Sequence, residues 1–244
     1  MLQLYDQIGA TYRTYRQPDP HIAAAIIEVL GDAKTVLNVG AGAGSYEPRD
    51  RDVTALEPSK TMIDQRPMKS APVVQASAMN LPFRDNTFDA AMAILTIHHW
   101  PNRELGLAEM KRVTRGRCVI LTWEPPATRF WLTTDYLPHF LEADRTLFVP
   151  WFEADPDAID IRPVLVPHDC KDGFLCAYWR RPEAYLNPDI REGISTFARV
   201  GNYESGLARL NRDLADGTWH RRNGHLLGEV SLDLGYRLIT LQRQ

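Results

Sequence analysis

The sequence is short of the features that mark disulfide-stapled or membrane-spanning proteins. It has three cysteines, Cys118, Cys170 and Cys176, an odd number without the CxxC spacing of many zinc sites. This pattern argues against a disulfide framework and fits a reducing compartment. No apolar run is long enough to cross a membrane, and the N-terminus does not resemble a signal peptide. We therefore expect a cytoplasmic protein without membrane insertion.

The chain also has little excess charge of either sign. Its formal net charge is -3 at pH 7, and local basic pairs such as Arg180-Arg181 and Arg221-Arg222 fit a solvated surface. Because nucleic-acid binding usually leaves a strongly basic patch, this balance predicts no nucleic-acid partner. The 244 residues, of which 44% are hydrophobic, suffice for one large domain with a sizeable core.

What the chain does have is a nucleotide-binding pattern between residues 35 and 59. The apolar run Val36–Val39 predicts a buried strand, and the glycine-rich letters GAGAG follow from Gly40. A second short apolar run, Val53–Leu56, ends at the acidic Glu57. Glycines let the backbone turn sharply and approach a ligand, and a carboxylate at a strand tip can accept hydrogen bonds from ribose hydroxyls. The pattern predicts a nucleotide-binding crevice.

An ordered series of stretches resembles the class I S-adenosylmethionine (SAM) dependent methyltransferases. VLNVGAGAGSYE, from Val36, is similar to motif I of that family, and ALEPS, from Ala55, is similar to motif II. ASAMNLPFRDNTFDAAMAILTIHHW, from Ala76, resembles the segment with the adenine loop and the fourth strand. The likeness covers roughly residues 35–123. Its sub-type is the ubiquinone/menaquinone-methylase-like, or type 11, small-molecule methyltransferase.

Two positions depart from that family's pattern. Asn38 stands where the family usually has Asp or Glu. Its amide either orders the glycine loop without a charge or merely caps it. The segment between Gly44 and Val53 is too short for the usual crossover helix, and Pro48 interrupts it. At most one helical turn fits there.

The resemblance implies an α/β fold with a doubly wound, mostly parallel sheet of seven strands, the last of them antiparallel. We expect one methyltransferase domain over residues 1–244, with an N-terminal lid at 1–20. The aromatic-rich stretch at about 128–157 predicts a helical cap insert over the crevice. The apolar-polar alternation of Tyr236–Leu241 predicts an edge strand.

The resemblance further implies SAM as cofactor, S-adenosylhomocysteine (SAH) as product and a small-molecule methyl acceptor. In this interpretation Glu57 binds the ribose, the Ser77–Met79 loop contacts the adenine, and the lid faces the methionine part. The predicted cofactor residues are Tyr12, Arg16, Asn38, Gly40, Ala41, Gly42, Gly44, Glu57, Pro58, Ser77, Ala78, Met79 and Leu95. No metal site is expected, because the consecutive His168, Asp169 and Cys170 point in alternating directions on an extended chain.

His98 and His99 are the best placed titratable groups, since they follow the fourth predicted strand. Ligands sit at the carboxyl ends of such strands. A neutral histidine can serve as base when the acceptor is a hydroxyl or an acidic carbon. We favour His99 as the base or acceptor-orienting group, with His98 as the second candidate. The alternative is that both only pack at the start of the next helix.

Three other functions are compatible with parts of the pattern. A SAM-binding methyltransferase fold can catalyse a non-methylating rearrangement. The stretch Gly40–Glu57 alone fits an NAD(P)-dependent oxidoreductase, although a longer glycine fingerprint is missing. The departure at Asn38 and the lack of an acid at Ser77 are compatible with a non-catalytic binding protein. The acceptor, its attacking atom and the oligomeric state do not follow from the sequence.

Overall fold

The computed structural model describes residues 14–124, 129–147, 152 and 155–242. Tyr12, most of the expected lid and part of the expected cap lie outside the described residues.

A central sheet of seven strands organises the fold. In chain order the described strands are Thr35–Val39 (β1), Asp52–Leu56 (β2), Val73–Val74 (β3), Phe88–Ile94 (β4), Thr114–Trp123 (β5), Ala158–Pro163 (β6), Val166–Pro167 (β7), Ser231–Leu232 (β8) and Tyr236–Gln242 (β9). The order in the sheet is β3-β2-β1-β4-β5-β9-β6. Strands β1 to β5 pair in parallel, and β9 runs antiparallel to both β5 and β6. The short strands β7 and β8 form a separate antiparallel pair. The predicted α/β, mostly parallel seven-stranded sheet is confirmed.

The edge-strand prediction for Tyr236–Leu241 is wrong. Strand β9 is hydrogen-bonded on both sides, by β5 and by β6, and the true edge on that side is β6. Both of its faces are covered, so even Thr240 is buried. The polar residues Arg237 and Thr240 gave this strand its apolar-polar alternation, but Arg237 is half-buried and Thr240 is buried.

Helices cover both faces of the sheet. Alternate residues of β1 point to opposite sides: Val36 joins the core cluster that contains Ile22 of helix α1, and Leu37 joins the one that contains Met110 of helix α3. The helices are Pro20–Leu30 (α1), Lys60–Asp64 (α2), Arg103–Val113 (α3), Pro138–Leu147 (α4), Pro188–Glu192 (α5), Ser195–Val200 (α6), Glu204–Ala215 (α7) and Thr218–Asn223 (α8). This two-sided cover makes the sheet doubly wound.

Helix ends follow the capping residues in the sequence. The Ser59 hydroxyl accepts a hydrogen bond from the Met62 N–H, which caps the start of α2. The Asp19 carboxylate does the same for the N–H groups of His21 and Ile22 at α1. Between Asn187 and Gly201 the chain forms two short helices, α5 and α6, with a break between them.

The aromatic stretch at 128–157 is helical over Leu132–Tyr136 and α4. Of its described aromatic side chains, Phe130, Trp131, Tyr136 and Phe140 belong to one core cluster. Trp131 donates from Nε1 to the Trp179 carbonyl at 2.7 Å and meets the Trp219 ring edge-on, with ring centroids 5.3 Å apart. Large aromatic rings packed in this way bury much apolar area, which fastens this segment to the helices after residue 174.

A carboxylate at the amino end of β4 holds the start of β1. Asp89 accepts hydrogen bonds from the N–H groups of Lys34 and Thr35 at 3.0 and 2.9 Å, and Arg115 donates to its other oxygen at 2.7 Å. The Arg115 guanidinium, followed by the Thr35 N–H, holds the pKa of Asp89 well below its usual range. This anchor sets where β1 begins, and therefore where the turn after it falls.

We predict that Asp89→Asn lowers the free energy of unfolding at pH 7 by about 1–2 kcal/mol, because the charge is lost from an acceptor of four donors, the Thr35 hydroxyl being the fourth. The folded-state pKa is depressed, so this contribution is fully present above the unfolded pKa of about 3.9 and is lost as the pH falls below it. Urea unfolding at pH 7 and pH 3 measures both. Asp50→Asn is the control, since that side chain is 68% exposed. Equal stability of Asp89→Asn and wild type at pH 7 would contradict the anchor.

Candidate functional site

A cavity of about 290 Å³ lies at the carboxyl ends of β1, β2 and β4. The strand order reverses between β1 and β4, and open α/β sheets bind ligands at such a point. Of the predicted site residues, those lining the cavity are Arg16, Asn38, Gly40, Ala41, Gly42, Glu57, Pro58, Ser77, Ala78, Met79, Leu95 and His99. Gly44 and His98 do not line it, and Tyr12 lies outside the described residues.

The glycine turn after β1 has backbone geometry that few other residues tolerate. Gly40 and Gly42 have φ angles of +74° and +52°, in the left-handed region. A Cβ at Gly40 would overlap the Thr96 hydroxyl, which comes from the end of β4. A Cβ at Gly42 would lie 3.3 Å from Met62 Cε, in the space between the turn and α2. Glycine is therefore needed here for close packing as well as for the turn.

Glu57 fastens this turn from the tip of β2. Its carboxylate accepts hydrogen bonds from the Gly42 N–H at 2.8 Å and from the Ser59 N–H at 2.9 Å. Burial raises the pKa of Glu57, and the two backbone donors oppose that effect. A carboxylate can accept about four hydrogen bonds, so Glu57 retains acceptor capacity towards a ligand in the cavity.

Asn38 orders the loop through a buried charged pair that sequence reasoning missed. Its amide donates to Glu47 at 3.3 Å, and Arg66 donates to the same Glu47 oxygen at 2.7 Å. Arg66 also donates to the Gly42 carbonyl at 3.3 Å. These contacts support the loop-ordering role for Asn38 over simple capping. No helix forms over residues 40–51, which are described in full.

The loop after β3 closes the opposite side of the cavity. The Met79 N–H donates to the Ser77 hydroxyl at 3.3 Å, which tightens the loop. Ala78 is buried and Met79 is half-buried, so the loop presents a small apolar wall with one hydroxyl. This wall fits the flat face of an aromatic heterocycle better than it fits a charged group.

Arg16 forms an ion pair with Asp172, which lies 156 residues further along the chain. Arg16 Nε donates to Asp172 at 2.5 Å, and the Tyr46 hydroxyl donates to the other Asp172 oxygen at 2.9 Å. Arg16, Tyr46 and Asp172 all line the cavity. Nothing in the spacing of residues 16 and 172 could have indicated this contact, because it is made only when the chain folds.

The two histidines border adjacent cavities. His99 lines the first cavity, and His98 lines a second one of about 70 Å³ that adjoins the first at Arg16 and Leu95. Their ring centroids are 3.8 Å apart. Burial, then the charges of Arg199 and Arg16, lowers the pKa of His99 to about 4, and burial lowers the pKa of His98 well below its usual value. Both rings are therefore neutral at pH 7.

The second cavity has aromatic walls and one carboxylate. Trp123, Phe174 and Tyr236 form much of its wall, and Asp144 of α4 reaches it. Burial raises the pKa of Asp144 to about 6, although its ion pair with Arg199 lowers it. Asp144 is the only described residue of the 128–157 segment that lines either cavity. Sequence reasoning missed Asp144 because the alternating α/β pattern breaks in that segment.

Leu95 links the two cavities through an unusual backbone conformation. Its φ angle is +53°, which is rare for a residue with a large side chain, and its N–H donates to the Leu121 carbonyl at 2.8 Å. The left-handed turn ends β4 and directs Thr96 to His99 across the mouth of the first cavity. Strained backbone of this kind clusters at functional sites.

The family model and the known proteins reported next are all described as methyltransferases. A family model described as a methyltransferase domain, Methyltransf_11, matches residues 37–121. A solved structure from Anabaena variabilis, described as a candidate methyltransferase of an antibiotic biosynthesis pathway, is 36% identical with a TM-score of 0.86. The match covers 93% of this chain and 98% of that one.

Two curated relatives are similar over part of their length. The demethylmenaquinone methyltransferase of Paenarthrobacter aurescens is 33% identical over 50% of this chain and 51% of its own. A tRNA (carboxymethyluridine(34)-5-O)-methyltransferase of Xenopus tropicalis is 27% identical over 50% of this chain and 20% of its own. The match thus spans about half or less of these curated relatives. Separately, none of the helices described here is long and apolar enough to cross a membrane.

We predict that Gly40→Ala lowers the free energy of unfolding by about 2–4 kcal/mol, from left-handed strain plus overlap with Thr96. Gly201→Ala is the matched control: its φ is also positive, at +67°, but nothing lies within 4 Å of the added Cβ. We expect that control to cost about 1–2 kcal/mol, the strain alone. Urea denaturation measures both, and equal losses would show that the turn does not pack against Thr96 as described.

Proposed function

Because the chain belongs to the menaquinone-methylase-like family of class I SAM-dependent methyltransferases, we propose that its larger cavity binds SAM and that the methyl group passes to a small-molecule acceptor. One observation carries the proposal. A single cavity brings together the glycine turn, Glu57, the Ser77–Met79 loop and His99, which the sequence supplies from separate segments. SAM supplies a methyl group that is already activated on its sulfonium, so the protein mainly positions the reactants and excludes water.

The residues present fit this cofactor. Glu57 is the carboxylate at the tip of β2 and would accept hydrogen bonds from the ribose hydroxyls. The wall of Ser77, Ala78 and Met79 would contact the adenine, and Arg16 would pair with the carboxylate of the methionine part. A volume of about 290 Å³ lies near the lower end of the range for small-ligand sites.

The size of the second cavity supports a small acceptor. Its volume of about 70 Å³ is less than half that of an apolar cavity of about 150 Å³ known to hold benzene. It would admit the reacting end of a small molecule, next to Leu95 where the two cavities meet. The net charge of -3 also favours a partner other than nucleic acid. One relative acts on tRNA, so the absence of a nucleic-acid partner stays a prediction.

In this proposal His99, which lines the larger cavity, orients the acceptor. A neutral imidazole can accept a hydrogen bond from a hydroxyl or other acidic group of the acceptor, and can take its proton as the methyl group is transferred. With its pKa near 4, His99 stays neutral between pH 6 and 8. Its titration would therefore leave the rate unchanged across that range.

Glu57→Ala tests the proposed binding of the cofactor. We expect Glu57→Ala to weaken SAH binding about ten- to a hundred-fold, since a charged acceptor for two hydroxyls is worth about 1.5–3 kcal/mol. Isothermal titration calorimetry measures the affinity, and NAD and NADP serve as ligands for the oxidoreductase alternative. The control is Glu104→Gln, because Glu104 is exposed. Glu47→Gln would not serve, because Glu47 itself orders the glycine turn. Unchanged SAH affinity in Glu57→Ala would remove the ribose role.

His99→Ala tests the proposed role of His99 towards the acceptor. We expect His99→Ala to bind SAH nearly as wild type does but to lower turnover by roughly 10² to 10⁴-fold. Labelled SAM incubated with cell extract first identifies the labelled acceptor, which then serves for the rate measurement. His220→Ala is the control, because this histidine is exposed and lines neither cavity. Wild-type turnover in His99→Ala would leave His99 with a packing role only.

A further inference from the structure

The Arg16–Asp172 ion pair lies in the wall of the first cavity. The proposed function assigns a ligand contact to Arg16 but none to Asp172. The two side chains are only 12% and 3% exposed. Burying two charges is costly, and the attraction between them compensates only when the geometry is good and further hydrogen bonds are made. A pair held in a cavity wall at this cost is therefore a candidate for binding a ligand of matching charge.

Asp172 is held firmly in its position. The Tyr46 hydroxyl donates to it at 2.9 Å, and the backbones of Arg16 and Asp172 form an isolated antiparallel bridge. The preceding residue, Lys171, donates its N–H to the N-cap carboxylate of Asp19 at 3.0 Å. The Asp19 N–H in turn donates to the Tyr46 oxygen at 3.3 Å. The carboxylate is thus positioned by three separate parts of the chain before any ligand arrives.

One acidic side chain of the first cavity has no ligand group assigned to it above. Among the described residues that line it, the acidic side chains are Glu57 and Asp172. Glu57 would serve the ribose, and Asn38 carries no charge. Asp172 is therefore the acidic group left to face an ammonium ion bound near Arg16.

We propose that Arg16 and Asp172 together hold the α-amino acid end of SAM, with the Asp172 carboxylate accepting hydrogen bonds from its ammonium group. This inference rests on the proposed function. An α-amino acid carries a cation and an anion on one carbon, and a side-by-side arginine and aspartate present the complementary pair. Asp172 also has the capacity, because a carboxylate accepts about four hydrogen bonds and can serve Arg16, Tyr46 and a ligand together.

The proposal makes the ammonium group a determinant of affinity. Wild-type protein should bind SAH about ten- to a hundred-fold more tightly than the deaminated analogue of SAH, in which hydrogen replaces the amino group. Asp172→Asn should weaken SAH binding by a similar factor and leave binding of the deaminated analogue within about two- to three-fold of wild type. 5′-Methylthioadenosine, which lacks the whole amino acid part, should be equally insensitive to the substitution.

Calorimetry with the full chain and these three ligands tests the proposal. Asp213→Asn is the matched control, since Asp213 is also a buried carboxylate that accepts from a tyrosine hydroxyl, that of Tyr136 at 3.0 Å, but lines neither cavity. If Asp172→Asn does not fold, the affinities of wild-type protein for SAH and for its deaminated analogue still test the proposal. Equal affinity of those two ligands, or equal weakening of all three by Asp172→Asn, would overturn the proposal and make Asp172 a structural anchor. Failure of wild type to bind SAH at all would instead overturn the proposed function.

Discussion

The hydrogen bond between Glu57 and the Gly42 N–H is the contact on which the site depends. It joins the tip of β2 to the turn that follows β1, so two neighbouring strands deliver their ends to one place. The turn can approach Glu57 only because Gly40 and Gly42 adopt left-handed backbone angles that side chains rarely permit. Thr96, from the end of β4, fills the space beside Gly40. Three strand ends are thereby fixed against one another, and the cavity is the gap between them.

Buried ion pairs surround this gap. Glu47 with Arg66 supports the glycine turn from behind, Arg16 with Asp172 forms part of the wall, and Asp144 with Arg199 lies beside the second cavity. Charges in such surroundings are weakly screened, so they act strongly on their neighbours. The arginines and the burial together keep His98 and His99 neutral. The same charges prepare the cavity for a ligand that carries both signs.

The known proteins that resemble this chain do so over different lengths of it. The likeness to the Anabaena variabilis structure extends over nearly the whole chain, whereas the likeness to the curated quinone and tRNA methyltransferases covers about half of it. The region matched by the family model, residues 37–121, contains β2, β3, β4 and most of β1 and β5, and therefore the glycine turn and Glu57. The second cavity is built largely from residues after this region, such as Asp144, Phe174 and Tyr236. The second cavity therefore lies mostly outside the region that the family model matches.

The sequence by itself determined what depends on neighbours along the chain. Strands β1, β2 and β4, the Ser59 cap and the glycine turn follow from apolar runs, a hydroxyl at a helix start and glycines directly after a strand. The parallel order then places their ends together, which is why most of the predicted site residues line one cavity. The burial of β9, the contact of Asp172 with Arg16 and the approach of Asp144 to the second cavity were decided only by the tertiary structure. Each of these joins segments far apart in sequence, and no local pattern encodes which distant side chain will share a buried space.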